Sequence, residues 1–118
     1  LLARSADRGN IDSMVLIGKM YHRGEGFSQD YARALQWYKR AAEKGSSEAM
    51  YNVGSMYYNG DGVSPDYLEA IRWFKQSAEK GNIVAMQYVA IMYKEGIGVP
   101  KDNVEASLWR KKAAESKN

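Results

Sequence analysis

Apolar residues recur along this chain at the spacing of amphipathic helices. In the middle of the sequence, one predicted helix, here called helix A, gathers on a single face the residues Ala49, Val53, Met56 and Tyr57. Gly60 follows this face, and a glycine in that place is typical of a left-handed helix cap. The pattern therefore predicts a helix that ends just before Gly60.

A second amphipathic stretch, here called helix B, follows after a short polar loop. Its buried face is predicted to hold Ala70, Trp73, Phe74 and Ser77. Asp66 stands where this helix begins, and an aspartate there accepts hydrogen bonds from free backbone N–H groups. Because Glu69 follows three residues later, we expect the two side chains to form a capping box.

The order helix A, loop, helix B occurs three times in the sequence. The loops read RGEGFSQD at 23–30, NGDGVSPD at 59–66 and EGIGVPKD at 95–102, so each starts 36 residues after the one before. A fixed period of this length is the sequence signature of a repeat protein. Since isolated helices of about 12 to 15 residues are marginal in water, each helix has to be stabilised by packing on the next.

We therefore predict an all-α solenoid of three 36-residue helix-loop-helix repeats, preceded by one partial repeat helix. The chain forms a single repeat domain, 1–118, in this interpretation. Its predicted parts are 1–9, the tail of a preceding helix B, and the repeats 10–45, 46–81 and 82–117, of which the last is a C-terminal cap.

The pattern resembles the Sel-one-like repeat family, a branch of the tetratricopeptide-like α-solenoids. The middle unit has the family's order: AEKG, then AMYNVGSMYYNGDGV for helix A and its loop, then DYLEAIRWFKQSAEKG for helix B. The resemblance implies a right-handed superhelix that binds other proteins as an adaptor, with helix A on the concave side. Two positions depart from the pattern, because Ala90 replaces the glycine of helix A and Arg110 replaces the aromatic residue after the tryptophan.

Composition and charge narrow the classes of function. The 17 basic and 14 acidic residues give a net charge of +3. The two signs alternate, as in KRAAEKG and KQSAEKG, which indicates solvated helix surfaces and no nucleic-acid interface. No apolar run is long enough to predict a membrane span. The absence of cysteine excludes disulfide and thiolate chemistry, and it leaves the compartment open.

The chemical interpretations of individual motifs are weak. Glu25 and Asp61 lie between the two glycines of their loops, but Ile97 takes that place in the third loop, and a calcium loop needs alternating oxygen ligands. A phosphate-binding loop needs a lysine followed by serine or threonine after its last glycine. His22 is the only histidine, and no nucleophile has a plausible base beside it. We predict no enzyme activity, no metal site and no cofactor.

Two sets of repeated positions are predicted to build the scaffold. The first set is interpreted as core filling, in preference to a stacking platform for bases or sugars, and consists of Trp37, Trp73 and Trp109. The second set consists of the small residues Gly18, Gly54 and Ala90. Small residues there predict a close crossing of helices A and B that tolerates no side chain larger than a methyl group.

The variable outward positions of helix A are the predicted partner-binding groove. They are Val15, Lys19, His22, Arg23, Tyr51, Ser55, Tyr58, Asn59, Gln87, Ile91, Lys94 and Glu95. Tyr51 and Tyr58 are two helical turns apart and are predicted to present adjacent rings as contact anchors, with solvated tyrosines as the alternative interpretation. Lys19 and Lys94 suit an acidic peptide segment or a carboxylate.

Two hypotheses for function remain open. The first is an adaptor that binds a protein or peptide, and the alternative is a scaffold that mainly self-associates through its ends. Leu1 and Leu2 are predicted to stand at an apolar N-terminal edge that allows end-to-end contacts. The other end is predicted to be a polar cap, in which Ser107 and Arg110 are exposed and Trp109 is buried, because terminal repeats need a polar outer face.

Overall fold

Six helices follow one another in the order that the repeat predicts. The computed structural model describes Leu2 and residues 9–116, and this part of the chain forms α1 (Ile11–Arg23), α2 (Tyr31–Glu43), α3 (Ser47–Asn59), α4 (Tyr67–Glu79), α5 (Ile83–Glu95) and α6 (Asn103–Ser116). The described residues contain no strand, so the predicted all-α repeat fold is confirmed. Each helix packs mainly on its neighbours in the sequence, and helix A of each unit is α1, α3 or α5.

The helices of type A have the same caps at both ends. Each begins after a polar residue whose side chain accepts a hydrogen bond from the backbone N–H three residues later, and these residues are Asn10, Ser46 and Asn82. Each ends at a glycine, as predicted for Gly60, whose φ of 74° lies in the left-handed region. Side-chain caps of this kind stabilise a helix because they satisfy N–H groups that have no partner inside it.

Helix α4 begins at the predicted Asp66, but the predicted capping box is wrong in its second half. Asp66 Oδ1 accepts from the backbone N–H of Glu69 at 3.0 Å, as expected. The backbone N–H of Asp66, however, donates to the carbonyl of Tyr57 at 2.9 Å. This bond ties the start of α4 to the last turn of α3, so Glu69 is not needed there and lies 3.5 Å from Arg72 instead.

The second glycine of the second and third loops allows one repeat to approach the repeat before it. Gly62 has a φ of 74°, and a Cβ atom on it would lie 2.5 Å from Cβ of Tyr31 in the preceding unit. A Cβ atom on Gly98 would lie 2.6 Å from the carbonyl of Tyr67. The interpretation of the glycines as structural turn residues is therefore supported, and they also fit one loop against the preceding helix B.

A repeated lysine-tyrosine pair joins successive units. Lys39 Nζ donates to the hydroxyl of Tyr57 at 3.0 Å, and Lys75 Nζ donates to that of Tyr93 at 3.1 Å. The hydrogen bond to Tyr93 raises the pKa of Lys75. Because each pair connects a helix B to the helix A that follows it, these repeated residues belong to the scaffold.

The small residue of helix A is more tightly packed than the sequence predicted. A Cβ atom on Gly54 would lie 2.8 Å from the Phe74 ring, and one on Gly18 would lie 2.6 Å from the Tyr38 ring. Cβ atoms in folded proteins essentially never come this close to another heavy atom, so the expectation that a methyl group fits is wrong for these two positions. The aromatic ring of helix B takes the space of the missing side chain.

The two departures of the third unit from the repeat pattern, Ala90 and Arg110, are structurally linked. Ala90 is buried, and Arg110 stands where the first two units have Tyr38 and Phe74. Since Arg110 is exposed, no ring occupies the space in front of Ala90, and the methyl group fits. Ser107 is also exposed, as predicted for a polar cap.

The tryptophans do not all fill the core. Trp109 is 7% exposed, as predicted, and belongs to the core cluster of the last unit. Trp37 and Trp73 pack against the first core cluster but are only partly buried, so they fill the core less completely than predicted. Their rings lie at the rim of the helix packing, where the guanidinium of Arg40 lies 4.5 Å from the centre of the Trp37 ring.

Most of the predicted N-terminal helix tail, including Leu1, lies outside the described residues. Leu2 is partly buried and packs against the first core cluster. The apolar N-terminal edge and its end-to-end contacts stay a prediction. None of the described helices is long and apolar enough to cross a membrane.

Candidate functional site

The predicted groove residues differ in exposure along helices α1, α3 and α5. Five side chains are exposed, namely Arg23, Asn59, Ile91, Lys94 and Glu95. Six are half-buried, namely Lys19, His22, Tyr51, Ser55, Tyr58 and Gln87. Val15 is 5% exposed, so its predicted outward position is wrong. The apolar stripe of α1 reaches one residue further round the helix than expected, and Leu16 is exposed in its place.

A cavity of about 230 Å³ lies between α1 and α3. Its walls bring together predicted groove residues of both helices, and it is lined by Lys19, His22, Arg23, Tyr38, Tyr51, Asn52, Ser55 and Met56. The buried side chains Tyr38 and Met56 contribute to the lining from the core, while the basic residues come from the last turns of α1. Five of the residues that the sequence assigned to the groove therefore share one concave site.

Acidic neighbours already contact basic residues of the cavity. Lys19 Nζ forms an ion pair with the carboxylate of Glu48. His22 Nε2 lies 3.1 Å from Oδ2 of Asp61, which connects the end of α1 to the loop of the second unit. The expectation that Lys19 serves an acidic peptide is therefore weakened, because its charge is balanced within the chain.

Tyr38 contributes a neutral hydroxyl group to this cavity. Burial raises the pKa of Tyr38 to about 12, with Arg23 acting in the opposite direction and Glu48 in the same direction as burial. The phenol is consequently protonated at neutral pH. The cavity lining thus combines charges that are mostly balanced with neutral hydroxyl and amide groups.

Asn52 is the residue of this cavity that sequence reasoning missed. Its Nδ2 atom is buried and has no hydrogen-bond partner. The equivalent positions in the other units are Leu16 and Tyr88, so the residue type changes in every repeat. This variation is the signal that could have identified Asn52, because its position lies one residue after the variable helix A position of Tyr51 that was assigned to the groove.

Five aromatic rings form a second feature, between α3 and α5. This aromatic cluster consists of Tyr51, Tyr58, Tyr67, Phe74 and Tyr88. Phe74 and Tyr88 stack with ring centres 4.9 Å apart, and Tyr51 and Tyr58 each lie 5.9 Å from Tyr88. Burial, followed by the interaction with Tyr88, raises the pKa of Tyr51. Tyr51 and Tyr58 are therefore joined through Tyr88, which sequence reasoning also missed.

A third concave region lies at the C-terminal side of α5. Gln87, Ile91 and Lys94 line a cavity of about 400 Å³ together with Ala90 and Arg110. The predicted groove is thus divided into three neighbouring parts: the α1/α3 cavity, the aromatic cluster and this end region. Among the described residues, no group of three or more histidine or acidic side chains could hold a metal ion.

The sequence profile of the Sel1 repeat matches the chain three times, at residues 11–46, 47–82 and 83–118. These matches follow one another without a gap and cover nearly all of the sequence. A search of curated proteins returned no match.

Solved structures of repeat proteins are also similar to this chain. A protective antigen present in uropathogenic Escherichia coli strains, which displays an SLR fold, is 43% identical with a TM-score of 0.94 over 99% of this chain and 25% of its own. A Sel1 repeat protein from Oxalobacter formigenes is 36% identical with a TM-score of 0.88 over 91% of this chain and 44% of its own. The present chain therefore spans less than half the length of either protein.

A third structure shows the same fold at lower identity. It is cysteine-rich protein B of Helicobacter pylori, with 18% identity and a TM-score of 0.77 over 99% of this chain and 89% of its own. This neighbour has cysteines in its name whereas the present sequence has none, so the solenoid packs without disulfides here.

Proposed function

This chain belongs to the Sel1 repeat family, and from that premise we propose that it is a non-catalytic adaptor that binds a peptide or protein segment in the groove of α1, α3 and α5. Proteins of this family are helical solenoids that generally act as protein-interaction scaffolds. The non-catalytic part of the proposal rests on the same family property.

The aromatic cluster is the observation that carries the groove assignment. Tyr51, Tyr58 and Tyr88 are half-buried, so each combines a ring packed on the scaffold with surface that stays accessible. Rigid amphipathic rings of this kind are effective contact anchors, because little side-chain entropy is lost when a partner covers them. Tyr51 also lines the α1/α3 cavity, so the two features form one continuous surface.

A random peptide library displayed on phage tests this proposal. We expect selected peptides to bind the purified chain, and we expect Ile91→Asp to weaken that binding at least roughly tenfold, since a charge would be desolvated against an apolar contact. Leu68→Asp is the matched control. Ile91 is 49% exposed on α5 and Leu68 is 47% exposed on α4, so both exchanges place the same charge on a similarly exposed aliphatic site.

Two results would count against the groove. Recovery of no binding peptide would remove the proposed function, and equal weakening by both aspartate variants would place the binding surface elsewhere. Fluorescence anisotropy of a labelled peptide provides the affinities, and thermal unfolding of each variant shows that the fold is retained.

Self-association through the repeat ends is the alternative function. It is favoured by two exposed apolar side chains of α6, Val104 at 70% and Leu108 at 50%, although the exposed Ser107 and Arg110 of the same helix are polar. Analytical ultracentrifugation of the chain alone separates the two functions. A monomer across the concentration range supports the adaptor, and reversible assembly without a partner supports the scaffold.

A further inference from the structure

The α1/α3 cavity contains a hydrogen-bond donor without an acceptor. The side-chain Nδ2 of Asn52 is buried and has no partner, and it is the one such side-chain atom among the described residues. Buried polar groups in folded proteins are nearly always hydrogen-bonded. The amide therefore identifies a point in the groove where an acceptor from another molecule would be stabilised.

The neighbouring repeats show that the scaffold does not need an amide at this position. The same place is taken by Leu16 in α1 and by Tyr88 in α5, and all three helices have the same length and caps. Tyr88 fills the space between α3 and α5 by stacking on Phe74. Asn52 leaves the corresponding space between α1 and α3 as a cavity with an amide in its wall.

The charges around the cavity favour an uncharged acceptor. Lys19 is paired with Glu48, His22 lies 3.1 Å from the carboxylate of Asp61, and Arg23 lies 3.7 Å from that of Glu25. A carboxylate that entered the cavity would have to displace these acids or lie close to them, and like charges at short distance repel each other. A carbonyl oxygen accepts from an amide without this cost.

The shape of the groove favours an extended segment. Tyr51 lines the cavity and also belongs to the aromatic cluster, so a chain held at Asn52 would continue directly onto the rings of Tyr51, Tyr58 and Tyr88. In an extended peptide, main-chain carbonyls and side chains are presented in alternating directions. One carbonyl can then face Asn52 while the adjacent side chains lie on the tyrosines.

We propose that Asn52 is a main-chain anchor, whose Nδ2 donates a hydrogen bond to a carbonyl oxygen of an extended, uncharged peptide segment in the groove. This inference rests on the proposed function, because it names the chemistry by which the same groove holds its partner. It makes Asn52 a binding residue, with the tyrosines of the aromatic cluster as the adjoining apolar surface.

Nuclear magnetic resonance tests the anchor without a natural partner. The probe is N-acetylglycine N′-methylamide, a neutral molecule with peptide carbonyls, and acetate serves as the charged comparison. We expect the neutral probe to shift the side-chain NH₂ resonances of Asn52 in a saturable manner and acetate to shift them less. The NH₂ of Asn103, which is exposed at the start of α6 and outside the groove, is the internal control and should not follow the same titration.

Three results would overturn the anchor. The first is no saturable shift of the Asn52 resonances with the neutral probe. The second is a larger or equal response to acetate, which would identify an anion site. The third is an equal response of Asn103, which would indicate general solvation of exposed amides.

A selected peptide provides the second arm of the test. Asn52→Leu introduces the residue that the first repeat has at this position, and Asn103→Leu makes the same exchange at an exposed position of α6, outside the groove. We expect Asn52→Leu to weaken peptide binding roughly tenfold, as for the loss of one hydrogen bond to a buried donor, and Asn103→Leu to leave it unchanged.

The stability of Asn52→Leu separates a binding role from a structural one. Because the exchange removes an unpaired buried amide, we expect the melting temperature to stay the same or rise while the affinity falls. If the peptide binds Asn52→Leu as tightly as the parent, the anchor is wrong and the adaptor function stands. If no peptide binds at all, the adaptor function fails, and the probe titration still decides whether Asn52 has an acceptor site.

Discussion

Single methyl groups decide how closely the helices of each repeat approach. Gly54 faces the Phe74 ring and the carbonyl of Ala70, at distances that leave no room for a Cβ atom. In an exposed helix, replacing glycine by alanine stabilises by roughly 1 kcal/mol, because alanine loses less backbone freedom on folding. Whether the exchange of Gly54 for alanine raises or lowers the free energy of unfolding therefore shows how tightly the two helices pack at this point.

We predict that Gly54→Ala destabilises the fold by about 1–3 kcal/mol, since the added methyl group forces α3 and α4 apart. Urea unfolding followed by circular dichroism measures the change. A stabilised Gly54→Ala protein would show that helix propensity outweighs the contact with Phe74, and would contradict the close crossing.

The three tryptophans should differ in their contribution to stability. We predict that Trp109→Ala lowers the free energy of unfolding by about 3–5 kcal/mol, because this ring is almost completely buried. Trp37→Ala should cost clearly less, because part of that ring is already in contact with water in the native state. Equal losses in denaturant unfolding would contradict the difference in burial between the two positions.

At the scale of the element, the start of a helix B is stabilised by one side-chain hydrogen bond and one backbone hydrogen bond. Asp66→Ala is predicted to cost about 1 kcal/mol, because the cap on α4 is lost. Glu69→Ala should cost less, since Glu69 contacts exposed Arg72 and the backbone N–H of Asp66 is held by Tyr57. Thermal unfolding of the two variants checks the order, and a larger loss for Glu69→Ala would restore the capping box.

The helix bounds could be predicted from sequence because their signals are local. Gly60 and Asp66 mark the end of one helix and the start of the next through their own backbone and side-chain preferences. The bond from Asp66 to Tyr57 could not be predicted, because it exists only when α3 and α4 are packed together. The same limit explains Val15, whose burial depends on the angle at which α1 meets its neighbours.

The candidate site was predictable in its location but not in its chemistry. Variation between the repeats predicted a site on the exposed side of helix A. Three of the residues predicted there, Lys19, His22 and Tyr51, line one cavity. The pairing of Lys19 with Glu48 and the unpaired amide of Asn52 depend on side-chain positions in two different repeats. A pattern along one helix contains no information about such contacts.

At the scale of the whole molecule, the chain is an elongated stack, with dimensions of 46 × 32 × 20 Å. Successive units are joined by the same lysine-tyrosine bond and by a loop glycine that touches the preceding helix B. Stability in such a stack is roughly a sum of repeat and interface contributions, so each end has to limit its own exposed apolar surface.

The polar side chains of α6 are predicted to limit stacking at the C-terminal end. A variant with Ser107→Leu and Arg110→Phe restores the residue classes of the earlier repeats, and Ala90→Gly is included because a ring at position 110 needs the space of the methyl group. We expect concentration-dependent association in sedimentation equilibrium, with Gln76→Leu, on the exposed side of α4, as the monomeric control. A triple variant as monomeric as the parent would contradict the cap.

The most direct test of the adaptor account is a map of where a selected peptide binds. Backbone amide chemical shifts of the ¹⁵N-labelled chain report this position residue by residue. The account predicts that the changes lie along α1, α3 and α5 and are largest around Asn52, Tyr51, Tyr58 and Tyr88. Changes confined to the outer surfaces of α2, α4 and α6 would contradict it.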